Sequence, residues 1–539
     1  MPMTKEEERK LRKDGLDVFN DFARYAQTGF DTIEPDDMAL FRWYGVYQQR
    51  PNSGHFMLRI KVPNGILSAA QLREVGKIAN DHGRGLADIT TRQNFQFHWL
   101  TIDVIPGVFD RLKAVGISTS GACGDITRNV VGCPVAGLDA DEYFDASAIN
   151  RQISDYFVGN KAFSNLPRKY KMSVAGCHIH CAQPDINCLG LYGTERTVNG
   201  KREVGFGLKV GGGLSTRPIF AADMETFIKP DEVMPVVLAI SELYRDSEVL
   251  RRDRKMARLK FLISDPKIGV GGERFREMIE EKIGRKLERH VSVIPRHTEA
   301  DHLGIRPQKQ EGLYYVGIGV TVGRMNGDLL QRVADIADEF SLEKQIRNTN
   351  KQNFIIPHVP EDKVGKLQER LRETGLDYTP SVFKRAVVSC TGIEFCNLAI
   401  TETKEFAKFI AEGLEQRIPG ASRNVRIHFS GCPNNCGQNA IADIGLRGMS
   451  TKVDGQMVEA YDVLLGGTTG AARAFAEKAS SKILKDNVLD AIARLYQAYL
   501  DWAKGDDTFH EFVKAHTKEQ LDAIARGNPV PESGSPTLN

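Results

Sequence analysis

The chain is 539 residues long, with 41% hydrophobic and 26% charged residues and a formal net charge of +2. That length can bury several cores, three or four domains or subdomains, and the balance is that of a globular protein rather than a disordered or fibrous one. No run of about eighteen apolar residues occurs, which excludes a membrane-spanning helix, and the small net charge gives no argument for nucleic-acid binding. Met1 to Lys13 is dense in charge and lacks an apolar stretch, with Glu6, Glu7 and Glu8 in a row. Neither a secretory signal nor a transit peptide is therefore expected. The cytoplasm is the expected compartment, where nine cysteines stay reduced.

In chain order, Lys5 to Phe22 reads as one charged helix, followed by a linker and the aromatic patch Phe41-Arg42-Trp43-Tyr44. Residues 1–50 form a helical extension. Phe56 to Val62 alternates as a strand. Ser68 to His82 places Leu72, Val75 and Ile78 at helical spacing, with Ser68 as N-cap and Gly83 as the stop. Asn94 to Thr101 reads as a second strand and Val108 to Val115 as a helix, closing a half-repeat over 51–120.

This unit recurs over 301–378. Tyr315 to Val320 resembles the first strand, Leu330, Val333, Ile336 and Ala337 repeat Leu72, Val75, Ile78 and Ala79, and Gln352-Asn353-Phe354 repeats Gln93-Asn94-Phe95. Two copies roughly 260 residues apart point to duplication. They differ in charge: Arg59, Lys61 and Arg92 in the first stand where the second has Gly317, Gly319 and Lys351. Such asymmetry is expected when only one half lines an anion-binding cleft. Larger domains are expected at 121–300 and 379–530, the latter with a helical pattern from Val488 to Phe512. Residues 526–539, rich in Pro, Ser and Gly, are expected to fray.

Four of the cysteines form two close pairs, Cys390-Thr391-Gly392-Ile393-Glu394-Phe395-Cys396 and Ser430-Gly431-Cys432-Pro433-Asn434-Asn435-Cys436-Gly437. An iron–sulfur cubane needs four converging thiolates, and neighbouring Gly and Pro let the chain wrap it and aim amides at its sulfurs. Structural zinc is the competing reading, although zinc motifs favour two to four intervening residues and the first pair has five. Inert buried thiols are a third.

The Ser430-Gly431-Cys432-x-x-x-Cys436 stretch, with Asp443-Ile444-Gly445-Leu446 six residues on and Cys390 and Cys396 upstream, resembles the signature of the nitrite and sulfite reductases that carry sirohaem and a [4Fe-4S] cluster. The resemblance covers roughly residues 40 to 520. It implies an α+β, pseudo-twofold duplicated architecture, with two ferredoxin-like half-repeats pairing and two larger mixed α/β domains around a central sirohaem. It also implies that Cys390, Cys396, Cys432 and Cys436 hold the cluster, with Cys436 bridging to the sirohaem iron.

Arg59, Arg128, Lys169 and Lys171 come from three segments, and each taken singly reads as a solvated surface charge. Lys169 and Lys171 alternate, so both face one side of an extended strand. In the family, residues matching these four surround the oxyanion and supply protons. A small dianion stripped of water needs several fixed cations, arginine for forked contacts and lysine to release a proton. Sirohaem carries eight carboxylates. Arg92 and Gln96 match family positions that meet the macrocycle, Asn129 sits beside Arg128, and Gly211-Gly212-Gly213 resembles a family run whose amides approach carboxylates; a plain turn is its local reading.

Lys171 favours sulfite, because relatives acting on nitrite tend to have Asn there and sulfite carries more negative charge. Assimilatory six-electron reduction of sulfite to sulfide is thus the expected reaction, with nitrite to ammonia as the alternative. A non-catalytic zinc- or RNA-binding protein is the alternative from another class. No flavin or nicotinamide motif is present, so electrons are expected from a separate protein, ferredoxin or a flavoprotein. Cys123 and Cys133 flank Arg128 without an assigned role. Cys177-His178-x-His180-Cys181 followed by Cys188 reads as buried strand residues before it reads as a second metal site. The run Arg251-Arg252-Asp253-Arg254-Lys255, with Arg258 and Lys260, reads first as a solvated helix face and second as a contact for cofactor carboxylates or an acidic donor.

Overall fold

Ser68 starts the helix Ala69–His82 with a capping box: its hydroxyl accepts from the Gln71 amide, and the Gln71 side chain accepts from the Ser68 amide. Two donors that every helix start leaves open are thereby satisfied. Leu72, Val75, Ile78 and Ala79 bury one face, and Gly83 follows the last residue. The second copy repeats the plan, with Asn326 capping Gly327–Phe340 and Leu330, Val333, Ile336 and Ala337 buried. The two helices cross at glycine. A Cβ on Gly76 would lie 2.7 Å from the Gly327 carbonyl oxygen, and one on Gly327 would lie 2.4 Å from that of Gly76.

These helices cover two five-stranded sheets that exchange strands. The first runs Val46–Gln48, Phe56–Arg59, Phe95–Leu100, Leu86–Ile89 and then Arg324–Asn326, borrowed from the second copy with Met325 opposite Ala87. The second runs Gly304–Pro307, Leu313–Ile318, Phe354–Pro360, Gln345–Asn348 and then Ile66–Ser68, borrowed from the first with Leu67 opposite Ile346. One continuous apolar core joins both copies. The register confirms the sequence alignment of the copies: Arg59 pairs with Gln96 as Gly317 pairs with Ile355, and Lys61 bridges Ser118 as Gly319 bridges Asp377.

The structure, a computed structural model, describes residues 3–296, 298 and 300–531. They fall into two units, Met1–Gly213 with Ile219–Val320 and Arg324–Tyr378, and Leu214–Pro218 with Thr321–Gly323 and Thr379–Asn539. The first contains both half-repeats and a sheet of Val131–Gly132, Met172–Ala175, Leu189–Val198, Lys201–Val210 and Ala222–Asp223, the first two pairings parallel and the last two antiparallel. The second contains a sheet of the same pattern, Val387–Ser389, Ile427–Ser430, Ile444–Val453, Gln456–Leu465 and Glu477–Leu484. Each sheet is backed by helices over its own core. No described helix is long and apolar enough to cross a membrane.

Several expected elements differ. The first helix breaks into Lys5–Arg12 and Phe19–Thr28. Asp14 turns the chain by accepting the Leu16 amide, and Gly15 lies so close to the Trp43 indole that a Cβ would sit 2.3 Å from it. The helix expected from Val488 to Phe512 ends at Trp502 and resumes at Phe509, after Gly505 turns into positive φ and Thr508 forms a new capping box with Glu511. Of the tail expected to fray, residues 532–539 lie outside the described residues. Before them Gly527 ends the helix Lys518–Arg526 in the left-handed region.

Candidate active site

Cys390 follows the strand Val387–Ser389 and Cys432 follows Ile427–Ser430, neighbouring parallel strands with Ser389 opposite Phe429. Both loops therefore leave the same end of one sheet. The Gly431 amide donates to the Cys390 sulfur at 3.3 Å, tying loop to loop, and the Asn434 amide group donates to the Cys432 sulfur at 3.5 Å. Gly437 allows the approach, because a Cβ there would lie 1.9 Å from the Phe429 carbonyl oxygen and 3.2 Å from the Cys390 nitrogen. Burial pushes the Cys390 thiol up to about 12, with Cys436 adding to the shift. The Cys432 thiol is raised by burial first and then by Cys436 and Cys396. The shifts thus tie Cys436 to both Cys390 and Cys432, and Cys396 to Cys432.

Their spacing separates the competing metals. Two sulfurs bound to one zinc can be at most about 4.6 Å apart. Among the described residues no three of these four sulfurs lie within 4.8 Å of one another. A single zinc ion does not fit; a multi-iron cluster, with amides already aimed at two of its sulfurs, does. Asp443 of the signature plays a structural part, accepting from the Arg426 backbone amide and guanidinium.

The basic residues gather within the other unit. Arg59 donates to the Cys123 sulfur at 3.1 Å and to Gln96 Oε1 at 3.0 Å. Arg128 is pinned by its own turn, donating to the carbonyl oxygens of Gly124 and Ala122. Arg92 donates to Asn187 Oδ1 and to the carbonyls of Asn129 and Met172, and Asn129 donates to the carbonyls of Val62 and Arg92. Lys169 and Lys171 are half-buried on either side of the fully buried Tyr170.

The electrostatics record an excess of buried positive charge. Arg92 is lowered to about 9 by burial, with Arg128, Arg258 and Arg59 pushing the same way. Lys61, 4% exposed, is lowered to about 8 by burial, then by Arg128 and Arg92 against the pull of Asp155. Asp125 is already taken by Arg254 and Lys10. The Lys61 ammonium, Nε of Arg92 and of Arg258, and Asn129 Oδ1 have no hydrogen-bond partner among the described residues. Buried cationic donors left open are costly, and an anionic group seated among them would remove that cost. The residues present fit a carboxylate-rich cofactor with an anionic substrate.

Two expectations change. The amides of Gly211, Gly212 and Gly213 donate to the carbonyls of Cys188, Asn187 and Ile219. The glycines serve close packing: a Cβ on Gly212 would lie 2.5 Å from the Asp185 carbonyl oxygen, and one on Gly213 would lie 2.9 Å from the Arg258 guanidinium. The basic run is solvated only in part: Arg252 and Lys255 are exposed, whereas its far end is buried. Its residues Arg258 and Lys260 are 6% and 1% exposed, Arg258 beside the Cys188 sulfur at 3.5 Å and Lys260 donating to the Gly213 carbonyl at 3.4 Å. Lys61 entered the sequence reading only through the charge asymmetry of the two copies, and Arg258 and Lys260 only through the second reading of the basic run, as a contact for cofactor carboxylates; their burial favours that second reading. No sequence signal pointed to Tyr47, whose hydroxyl burial pushes up to about 12 beside Cys123.

A duplicated α+β architecture, thiols gathered for an iron–sulfur cluster in one unit and buried cations gathered for an anion in the other define an iron–sulfur redox enzyme. The profile of the Nitrite and sulphite reductase 4Fe-4S domain matches residues 123–287 and 382–524, and that of the Nitrite/Sulfite reductase ferredoxin-like half domain matches 47–115 and 306–374. The chain belongs to the nitrite and sulphite reductase family. It is 35% identical to the assimilatory ferredoxin-dependent nitrite reductase of Haloferax mediterranei, over 97% of this chain and 93% of that one. It is 34% identical to sulfite reductase [ferredoxin] 2 of Mycolicibacterium paratuberculosis, over 92% of each. Its fold matches the solved structure of the Mycobacterium tuberculosis NirA protein with a TM-score of 0.90 and 34% identity, over 97% of this chain and 98% of that one. Family membership implies a [4Fe-4S] cluster and sirohaem.

Proposed function

We propose that the chain is an assimilatory sulfite reductase, taking sulfite to sulfide with six electrons delivered one at a time by reduced ferredoxin. The observation that carries this reading is the set of cations in one unit, Lys61, Arg258 and Lys260 buried and Arg59, Arg92, Arg128, Lys169 and Lys171 half-buried, with the Lys61 ammonium and Nε of Arg92 and of Arg258 left without a hydrogen-bond partner among the described residues. Cys390, Cys396, Cys432 and Cys436 would hold the cluster, Cys436 being the exposed one of the four. Arg92, Gln96 and Asn129, together with Lys61, Arg258 and Lys260, would meet the macrocycle. Bound, these groups supply single electrons to the substrate.

This chain's own residues handle the anion and its protons. The guanidinium of Arg128, fixed by three hydrogen bonds to its turn, presents a charge that cannot swing away. Arg59 is held in the same way by Gln96 and Cys123. Lys169 and Lys171 can each pass an ammonium proton to an oxygen leaving as water, which guanidinium groups do not do at ordinary pH. Cytoplasmic placement keeps the thiols reduced.

Reduction of nitrite to ammonia is the second reading, favoured by the nitrite reductases among the similar proteins. Steady-state turnover with reduced ferredoxin, sulfite and nitrite assayed in parallel, tests both: sulfite is expected to win in kcat/KM, and a nitrite preference by orders of magnitude assigns the second. A colourless purified protein, without a Soret band, would leave only a binding role.

A further inference from the structure

The sheet that carries the iron–sulfur cysteines has a counterpart in the first unit, aligned residue for residue. Gly132 pairs with Val174 and Val174 with Leu191, as Ser389 pairs with Phe429 and Phe429 with Leu446. Cys133 follows its strand as Cys390 does, and Cys177-x-x-x-Cys181 stands where Cys432-x-x-x-Cys436 stands. The loops agree in backbone detail. His180 and Asn435 both sit at φ 60°, and Gln183 and Gln438 at φ 60° and 64°, each before a short 3₁₀ turn. Three of the four cysteine positions of the cluster site are therefore occupied by cysteine in its duplicate.

The fourth position differs. Six residues after Cys133, where Cys396 follows Cys390, the chain has Asp139. In its place His302 arrives from the segment before the strand Gly304–Pro307, its Nε2 3.5 Å from the Cys181 sulfur. The Cys181 and Cys133 sulfurs are 4.0 Å apart. Among the described residues, Cys133, Cys181 and His302 are the one group of three or more such ligands with all donor atoms within 4.8 Å. Zinc–ligand bonds at tetrahedral angles put two sulfurs about 3.8 Å apart and a sulfur and a nitrogen about 3.6 Å apart. The observed spacings match one ion, whereas the cluster cysteines of the other loop are spread too widely for one.

The surroundings are built for this group. Cys133, Cys177 and Cys181 are each 2% exposed and His302 is 7% exposed, enclosed by Val135, Leu138, Ala182, Tyr315 and Ile355. His302 holds a left-handed backbone, φ 55°, a conformation that persists only where the surroundings fix it. Gly317 makes room for it, since a Cβ there would lie 1.8 Å from the His302 carbonyl oxygen. The other candidates of the motif lie elsewhere: His178 bonds the Asp141 carbonyl, the His180 ring packs on Tyr192, and Cys188 meets Arg258.

The geometry points to a second metal centre, a zinc site formed by Cys133, Cys181 and His302, with Cys177 in the loop beside it, and distinct from the iron–sulfur cluster. The ion ties the Cys177–Cys181 loop to the segment leading into the strand Gly304–Pro307, among buried side chains, so its part is structural.

Elemental analysis of the holoenzyme, purified without chelator, is expected to give one zinc per chain beside its iron. X-ray absorption at the zinc edge is expected to show sulfur at about 2.3 Å and nitrogen at about 2.0 Å in the first shell. The double variant Cys177→Ser, Cys181→Ser is expected to lose the zinc and keep the iron and visible spectrum of the wild type. Absence of zinc from the wild-type protein overturns the proposal, as does a zinc shell of oxygens and nitrogens only. Iron in excess of one [4Fe-4S] cluster and one haem, lost in the double variant, overturns it in favour of a second cluster. Should the variant not fold, the wild-type absorption spectrum decides alone.

Discussion

The two ferredoxin-like copies keep a polar N-cap, the same buried helix face and the same exchange of a strand, yet at two matching strand positions only the first carries charge. At equivalent register, Arg59 in the first is Gly317 in the second, and Lys61 is Gly319. The second copy's glycines are not idle remnants: Gly317 admits the backbone of His302, with no room for a methyl group. Duplication left one copy free to collect cations at a cost to its own stability, while the other took up packing tasks. A charge removed from the first copy should therefore cost function and spare the fold; a side chain added to the second should do the reverse.

The largest effect lies outside both copies and sets the scale. Cys432→Ser is expected to abolish turnover, with loss of cluster iron read by elemental analysis. Within the comparison, Gly317→Ala is expected to destabilise the protein by more than about 3 kcal/mol, since a backbone oxygen 1.8 Å away cannot be relieved by a rotamer change; thermal melts measure it. Lys171→Asn is expected to lower kcat/KM for sulfite by roughly 10- to 100-fold, the worth of one charge-assisted contact, with a smaller loss for nitrite and an unchanged melting temperature. Equal losses for both anions would remove Lys171 from specificity.

The smallest expected effect concerns Lys61 in the cofactor-free protein. Its folded-state pKa, about 8, lies below the ordinary 10.5, so the unfolded chain binds the proton more tightly. Stability then rises with pH between about 8 and 10.5, and the penalty is complete below pH 8. Lys61→Met is expected to raise stability by about 1–3 kcal/mol at pH 7, a gain that shrinks as pH climbs to 10.5. Melts of apoprotein at pH 7 and pH 10 would show it, and a gain independent of pH would mean that packing, not charge, was relieved.

Much of this was legible in the sequence where a local rule carries the information. Ser68 and Gln71, the Leu72–Val75–Ile78 spacing and the two cysteine pairs each announce their structure within a few positions. What was illegible depends on distant partners. The expected single helix from Lys5 to Phe22 fails because Gly15 packs on Trp43. The run Arg251–Lys260 looked solvated because nothing local says that Arg258 will meet Cys188, seventy residues away. His302 stands more than a hundred residues from the cysteines it joins, so the motif around Cys177 offered His178 and His180 instead. The glycine run misled differently: its composition suggested free amides, and tertiary hydrogen bonds had used them.

The exchanged strands have a consequence for how the chain reaches its fold. Ile66–Ser68 waits for Gln345–Asn348, and Leu86–Ile89 waits for Arg324–Asn326. During synthesis neither sheet can complete its edge until well over half of the polypeptide has left the ribosome, which leaves an open edge exposed to unwanted pairing for that interval. Separate expression of either copy would yield a fragment with a missing neighbour, prone to aggregate, so the duplicated gene product behaves as one indivisible folding unit.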